Sequence, residues 1–369
     1  MEYDVIIIGA GVAGCATALA LKKVNKDLHI AIIERSASLE NAFKIGETLP
    51  PQASKQFQNL GIWEAFLACN FSSSYGTSSV WGSHTVYTNE YIFSPYGYGW
   101  NLDRNAFDQF MMEQAKEQGV VVYWNTSCID STWQNEEWIL QCNQESTTLL
   151  LNTHFVVDAT GKKAAFSALQ GTEKIKKDKQ VGVYRFYDLK QANATEIKEG
   201  IVVETDANGW WYSATLPNQK LVLGYLTDSD IASHLKMKVT SHFEDQLQQT
   251  TITATRVATL SDTTTPFLVA AQTQYLKSCV GEGWLAVGDA ASSYDPISSL
   301  GIYKALVMSQ WASFAIQDFL KNDRIGLRKY QNLVAHDFEV YEKKRKEFYQ
   351  QESRFSNTLF WKRRHEINI

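Results

Sequence analysis

Little in this sequence would keep a chain unfolded, and little would fix it by anything but its own core. Its 369 residues hold only 6 prolines, with no internal repeat and no low-complexity tract, and 44% hydrophobic against 20% charged residues excludes a disordered or fibrous chain. Cysteine is sparse and scattered: Cys15, Cys69, Cys128, Cys142 and Cys279 are odd in number and form no Cys-x-x-Cys pair. Such a set supports neither a disulfide framework nor a zinc site and reads as reduced thiols. No uncharged apolar run approaches the ~18 residues that span a bilayer. The apolar stretch Tyr3 to Ala10 follows Glu2 and Asp4, unlike a secretion signal. A net charge of -5 offers no basic surface for nucleic acid. The expectation is a soluble, cytoplasmic protein with no metal and with neither membrane nor nucleic acid as partner. Its length suggests two domains, possibly interleaved.

What is present begins at the N-terminus. Val5 to Ile8 is a β-branched run suited to a strand buried on both faces, and it runs into Gly9-Ala-Gly11-Val12-Ala13-Gly14 and a helical stretch from Cys15 to Lys23. Strand, glycine turn and helix in this order suit a dinucleotide. Gly9 makes the tight turn, Gly11 lets backbone N–H groups approach a pyrophosphate, and Gly14 lets helix and strand pack closely. A second strand, His29 to Ile33, ends at Glu34 and Arg35, about 20 residues beyond the last glycine, where an acid holds a ribose hydroxyl. This motif alone leaves FAD and NAD both open.

A second block, Trp284 to Val287, Gly288, Asp289 and on to Asp295-Pro296-Ile-Ser-Ser299-Leu-Gly301-Ile302, again reads as strand, loop and helix, the helix reaching about Leu320. An acid at a strand's carboxyl end suits a ribityl chain, and the uncapped helix start suits negative charge on a reduced flavin. The pair of blocks resembles the p-hydroxybenzoate-hydroxylase-like flavoproteins, which hold one FAD between them. Phe155 to Gly161 and Trp100 to Asp108 resemble two further segments of that family. The resemblance implies that Asp289 binds the ribityl chain, that Arg104 and Asp158 lie near the ribose and pyrophosphate, and that Pro296 faces the isoalloxazine. Read singly, Asp158 as a turn cap and Arg104 as a surface ion-pair partner remain open.

Between the blocks the texture changes to β alternation: Val181 to Tyr187, Gly200 to Glu204, Gly209 to Leu216 and Lys220 to Leu226, the last two joined by Pro217-Asn-Gln219. The predicted architecture is α/β: a Rossmann-like FAD-binding domain (1–74, 100–170 and 273–322), an inserted antiparallel β-sheet substrate domain (75–99 and 171–272) and a C-terminal helical segment (323–369). In the last, Tyr330, Val334, Phe338 and Tyr341 share one helical face and are expected to pack across the FAD domain. Trp81, Trp100, Trp210 and Trp211 would fill core or line a pocket, core being the commoner use of strand aromatics.

The loop Lys44-Ile-Gly46-Glu47-Thr48-Leu-Pro-Pro51 mixes charge with a flexible glycine and a rigid proline pair. A similar Gly-Glu loop occurs in tryptophan halogenases, which also need a lysine and a Trp-x-Trp-x-Ile-Pro motif. This chain has no lysine between Lys55 and Lys116, and Trp210-Trp211 are adjacent. Over nearly its whole length it resembles the LodB/GoxB-type flavoprotein maturases of cysteine tryptophylquinone biogenesis, on Lys44 to Pro51, Gly99 to Arg104, Gly209 to Ala214, Asp295 to Gly301 and Phe360 to Arg364. That resemblance implies an FAD-dependent monooxygenase that hydroxylates a tryptophan of a precursor amino-acid oxidase, with O2 as co-substrate and NAD(P)H or a separate flavin reductase supplying electrons. A small-molecule monooxygenase, a prenyl reductase and a non-catalytic assembly partner are the alternatives. Glu47 is the candidate catalytic group. The candidate cofactor contacts are Gly9, Gly11, Val12, Ala13, Gly14, Glu34, Arg35, Lys44, Gly46, Glu47, Thr48, Arg104, Asp158, Gly161, Gly288, Asp289, Pro296, Ser299, Gly301 and Ile302.

Overall fold

The computed structural model describes residues 2–39, 45, 48–189, 200–217, 219–262 and 264–366. The chain opens with β1 (Glu2–Ile8), α1 (Val12–Val24) and β2 (Ile30–Ile33). β3 (Gly76–Val80), α2 (Arg104–Glu117) and the long β4 (Thr147–Asp158) follow. Then come β5 (Gln180–Asp188), β6 (Ile201–Asp206), β7 (Gly209–Leu216) and β8 (Lys220–Asp228). β9 (Trp284–Ala286), α3 (Gly301–Leu320), α4 (Ile325–Gln350) and α5 (Leu359–His365) complete the set that frames the site.

In the first large sheet β9-β4-β1-β2 run parallel to one another in that order, with Val121–Tyr123 continuing beyond β2 and Val280–Gly281 pairing antiparallel beyond β9. Its strands are near-continuous apolar runs because both faces are covered, and Val5, Ile6, Ile7 and Ile32 are wholly buried. Register sets the site: Ile8 lies beside Ile33 and Asp158, and Asp158 beside Ala286. All four strands therefore end at one level, and the turns after them share one edge. At its start β4 leaves this array and pairs antiparallel with Glu137–Gln144, which pairs with Thr126–Gln134.

The second large sheet runs β5-β8-β7-β6-β3, with Tyr87–Glu90 outermost. The four β-rich segments of the sequence form it, antiparallel as expected, but β3 joins β6 in parallel, so this sheet is mixed. Strand alternation divides its residues between two cores. Trp211, Tyr225, Val183 and Leu223 face the short helix Thr240–Leu247, whereas Trp210, Tyr184, Val222 and Leu226 face the other way with Tyr349, Phe360 and Trp361. Adjacent Trp210 and Trp211 thus serve different layers.

The C-terminal segment is less uniform than its charge pattern suggests. α4 ends at Gln350, and α5 follows after a short connection. Tyr330 and Val334 of α4 belong to the core of the first sheet, Tyr349 to that of the second, and Phe338 and Tyr341 to a small cluster with Tyr294. One helix therefore packs on both sheets.

Candidate functional site

A cavity of about 630 Å³ lies where the strand ends of the first sheet meet the second sheet. On one side it is lined by Gly11, Val12 and Ala13 of the glycine turn, by Arg35 after β2, and by Thr48 and Arg104. Ala159, Gly161 and Lys162 after β4, and Val287 and Asp289 after β9, continue this wall. The loop before α3 closes it with Pro296, Ser299, Gly301 and Ile302. Tyr184, Trp210, Tyr212, Leu226 and Val269 of the second sheet form an apolar, mainly aromatic wall opposite.

The glycines divide by use. A methyl on Gly14 would sit 2.0 Å from the Gly9 carbonyl oxygen, and Gly9, at φ +111, would bring one 2.4 Å from that of Ala159. Those two serve close contact of turn, strand and helix. Gly288, at φ +64, packs its turn on Ala13. Gly11, Gly161 and Gly301 all line the cavity, and a methyl on any of them would meet nothing within 4 Å. They leave space on the cavity side. Two helices begin on this space without a side-chain cap, α1 at Gly11 and α3 at Leu300, so their first N–H groups are directed there. Ser299, which precedes α3, is held at φ +50, a conformation rare for a residue with a side chain. Thr48 Oγ1 is buried and has no hydrogen-bond partner among the described residues. Open glycine backbone, two uncapped helix starts, Arg35, Arg104 and Lys162 are what an extended anionic ligand requires.

The acids differ in availability. Glu34 receives the Ala10 N–H on Oε2 and the Ser36 N–H on Oε1, both at 2.9 Å, and so fixes the glycine turn. Asp158 is wholly buried and does not line the cavity: its oxygens accept from Thr160 N–H and Oγ1 (3.0 and 2.6 Å) and from Ser167 N–H and Oγ (both 2.7 Å). It holds the turn that presents Gly161. Arg104 lines the cavity, donates to the Ile45 carbonyl at 2.8 Å, and pairs with Asp108 one helical turn on. Asp289 faces the cavity and pairs at 3.1 Å with Lys304 Nζ of α3. That ammonium also donates to the Ser292 carbonyl and lies 4.1 Å over the Tyr294 ring. Burial pushes the Lys304 pKa below its ordinary value, and Asp289 offsets part of that. Lys44, Gly46 and Glu47 lie outside the described residues.

Asp295, next to Pro296, is wholly buried. It accepts from Arg345 Nε at 3.0 Å, Tyr349 Oη at 2.8 Å and Gln180 Nε2 at 2.9 Å, while its N–H donates to Tyr341 Oη at 2.7 Å. α4 and the second sheet together thus fix the loop that leads into α3. Sequence reading did not pick out Lys162, Lys304, Arg345 or Tyr349. For Arg345 a signal existed, because it continues the buried helical stripe of Phe338 and Tyr341.

Parallel strands ending level, a glycine cradle with open backbone and cationic side chains define a dinucleotide site. Residues 2–307 match the FAD binding domain family, and the chain belongs to it, with FAD as cofactor. The chain is 31% identical over 372 residues to the FAD-dependent oxidoreductase LodB of Marinomonas mediterranea, covering all of this chain and 98% of LodB. It is 23% identical to a 1H-pyrrole-2-carbonyl-[peptidyl-carrier protein] chlorinase of Pseudomonas fluorescens, over 87% of this chain and 77% of that protein. Among solved structures, the myxobacterial chondrochloren halogenase CndH has a TM-score of 0.88 at 21% identity, covering 100% of this chain and 86% of its own. The peptidyl tryptophan dihydroxylase QhpG, essential for tryptophylquinone cofactor biogenesis, has a TM-score of 0.75 at 19% identity, covering 99% and 79%. The chain is an FAD-dependent oxidoreductase with the fold shared by flavin halogenases and monooxygenases.

Proposed function

We propose that this oxidoreductase is a maturase that hydroxylates a tryptophan of a precursor amino-acid oxidase on the way to cysteine tryptophylquinone. The observation that carries this reading is its end-to-end likeness to LodB at 31% identity, joined to a fold shared with a peptidyl tryptophan dihydroxylase. The aromatic wall supports it: Tyr184, Trp210 and Tyr212, facing the glycine cradle, suit a flat, electron-rich indole. Tyr184 and Trp210 are almost wholly buried, so packing fixes their rings.

Bound FAD supplies the means of activating O2 once it is reduced. The protein's own part is positional. Gly11, Gly161 and Gly301 would admit the cofactor, Asp289 would offer a carboxylate to hydroxyls, and the α3 start would stabilise negative charge. Pro296 and Ser299 set one wall of the reacting space, and Trp210 and Tyr212 the other. A reductant, NAD(P)H or a separate reductase, completes the electron supply.

The test is co-expression with a precursor oxidase and mass analysis of its tryptophan-bearing peptide. Gain of one or two oxygen atoms with the intact chain, and none with Asp289→Asn that still folds, supports the reading. An unmodified tryptophan with a competent reductant present sinks it. Full maturation by an Asp289→Asn protein that has lost its FAD would instead identify a non-catalytic assembly partner.

A further inference from the structure

Fourteen positions apart in the sequence, Cys128 and Cys142 face one another directly across the antiparallel pair Thr126–Gln134 and Glu137–Gln144. Residues so opposed have Cα atoms roughly 4.5–5.5 Å apart and side chains on one face. That separation lies inside the ~4.4–6.8 Å that a disulfide spans. Cys128 Sγ donates to the Asp130 carbonyl at 3.5 Å. Cys142 is buried, Cys128 only partly so, and both are free thiols. The ladder changes register between Gln141 and Cys142, which loosens the backbone beside the pair.

We propose that Cys128 and Cys142 form a modification site, a dithiol that hydrogen peroxide closes to an intramolecular disulfide and that a thiol reductant reopens. Peroxide is the by-product expected whenever a reduced flavin meets O2 without productive transfer. The Cys128 thiol beside it lowers the Cys142 pKa below that of an ordinary thiol, while the neighbouring Cys142 sulfur and burial push Cys128 up. Cys142 is therefore the sulfur that attacks first. Its thiolate takes one peroxide oxygen, the O–O bond breaks, and the departing hydroxide collects the Cys128 proton as water. The Cys128 thiolate then attacks the Cys142 sulfenic acid; the S–O bond breaks, and hydroxide leaves and takes up the proton that Cys142 had earlier released. Two thiols lose two electrons, and one peroxide becomes two waters.

The place gives the cross-link a consequence. Thr126 N–H donates to the Glu34 carbonyl at 2.9 Å, and Asn125 N–H to that of Ser36 at 3.1 Å. The thiol-bearing strand thus supports the segment that carries Glu34 and Arg35, the latter on the cavity wall. Closing the disulfide staples that support from behind.

The experiment uses the full FAD-loaded chain with Cys69→Ser, which removes an exposed thiol, and maps its peptides without reduction after peroxide treatment. The expected result is a linked Cys128–Cys142 peptide pair lighter by two hydrogens, loss of two titratable thiols in denaturant, and full recovery with dithiothreitol. Cys128→Ala should abolish the linked pair and reduce the loss from two thiols to one, with Cys142 left as a sulfenic acid that dimedone traps. Mapping the unsubstituted chain in parallel makes the answer independent of how either variant folds. Both cysteines persisting as free thiols, or irreversible oxidation of Cys142 with Cys128 present, overturns the proposal.

Discussion

A methyl group distinguishes the glycines of the nucleotide turn. At Gly14 it would press on the Gly9 carbonyl at 2.0 Å, whereas at Gly11 it would enter the open space of the cavity. Gly14→Ala should therefore cost about 1–3 kcal/mol through overpacking, seen as a lower thermal midpoint with and without FAD. Gly11→Ala should leave the FAD-free midpoint unchanged and lower FAD content, read from flavin absorbance per protein. A Gly11→Ala protein with full FAD would remove the cradle from the argument. Lys304 gives a second residue-scale prediction. Its folded pKa lies below its ordinary 10.5, so between the two values the unfolded chain binds more protons and stability rises with pH. Lys304→Met should abolish this alkaline rise, measured by urea unfolding at successive pH values. It also leaves Asp289 unpaired, but that carboxylate keeps 36% of its side chain in solvent. The cost at neutral pH should then be about 1–2 kcal/mol, below the ~3–5 kcal/mol of a fully buried broken pair.

At the scale of elements, the loop before α3 depends on α4. Arg345 bridges Asp295 at 3.0 Å and Asp178 at 2.6 Å, with almost none of its side chain exposed. Arg345→Met strands two acids and should cost about 3–5 kcal/mol, whereas Tyr349→Phe removes the donor to Asp295 and the acceptor of the Trp210 Nε1–H and should cost about 1–3 kcal/mol. Both should weaken FAD retention on a desalting column, because the loop carries Pro296, Ser299 and Gly301. The strand-turn-helix blocks, the β-rich insertion and the glycine cradle were all legible, since β-branched runs, period-two alternation and glycine spacing are local patterns. The anchors were not. The resemblance places Asp158 near the ribose and pyrophosphate with a turn cap left open, and the fold spends it on Thr160 and Ser167, while Asp295, which the sequence did not single out, is held by Arg345 and Tyr349. Likewise, no spacing rule sets Cys128 opposite Cys142, because strand register and a bulge decide it.

Across the whole molecule, the C-terminal segment closes the second sheet through ion pairs that carry an acid switch. Arg364 Nη2 donates to Asp228 Oδ1 at 2.9 Å and to Gln180 Oε1 at 2.7 Å, and Arg363 pairs with both Asp228 and Asp230. Burial pushes the Asp228 carboxyl up, but Arg364 and Arg363 together more than reverse it. Glu352 behaves alike, with Arg354, Thr205 and the Gly82 N–H outweighing its burial, and Arg363 pulls Asp230 down to about 2. Carboxyls depressed in the folded state stabilise it fully above their unfolded values, near 3.8 for Asp and 4.5 for Glu, and lose that contribution as pH falls toward about 2. The apolar contacts of α5 are insensitive to pH: Phe360 and Trp361 are wholly buried, each contributing roughly 1.5–3 kcal/mol. Acidification below pH 4 should therefore loosen 351–366 before the parallel sheet, which is held by a large apolar core. Hydrogen exchange at stepped pH should lose protection first in α5 and β8 and last in β1 and β4. Arg364→Met should bring the same early loss at neutral pH, while simultaneous loss in both sheets would mean that the segment is no separate latch.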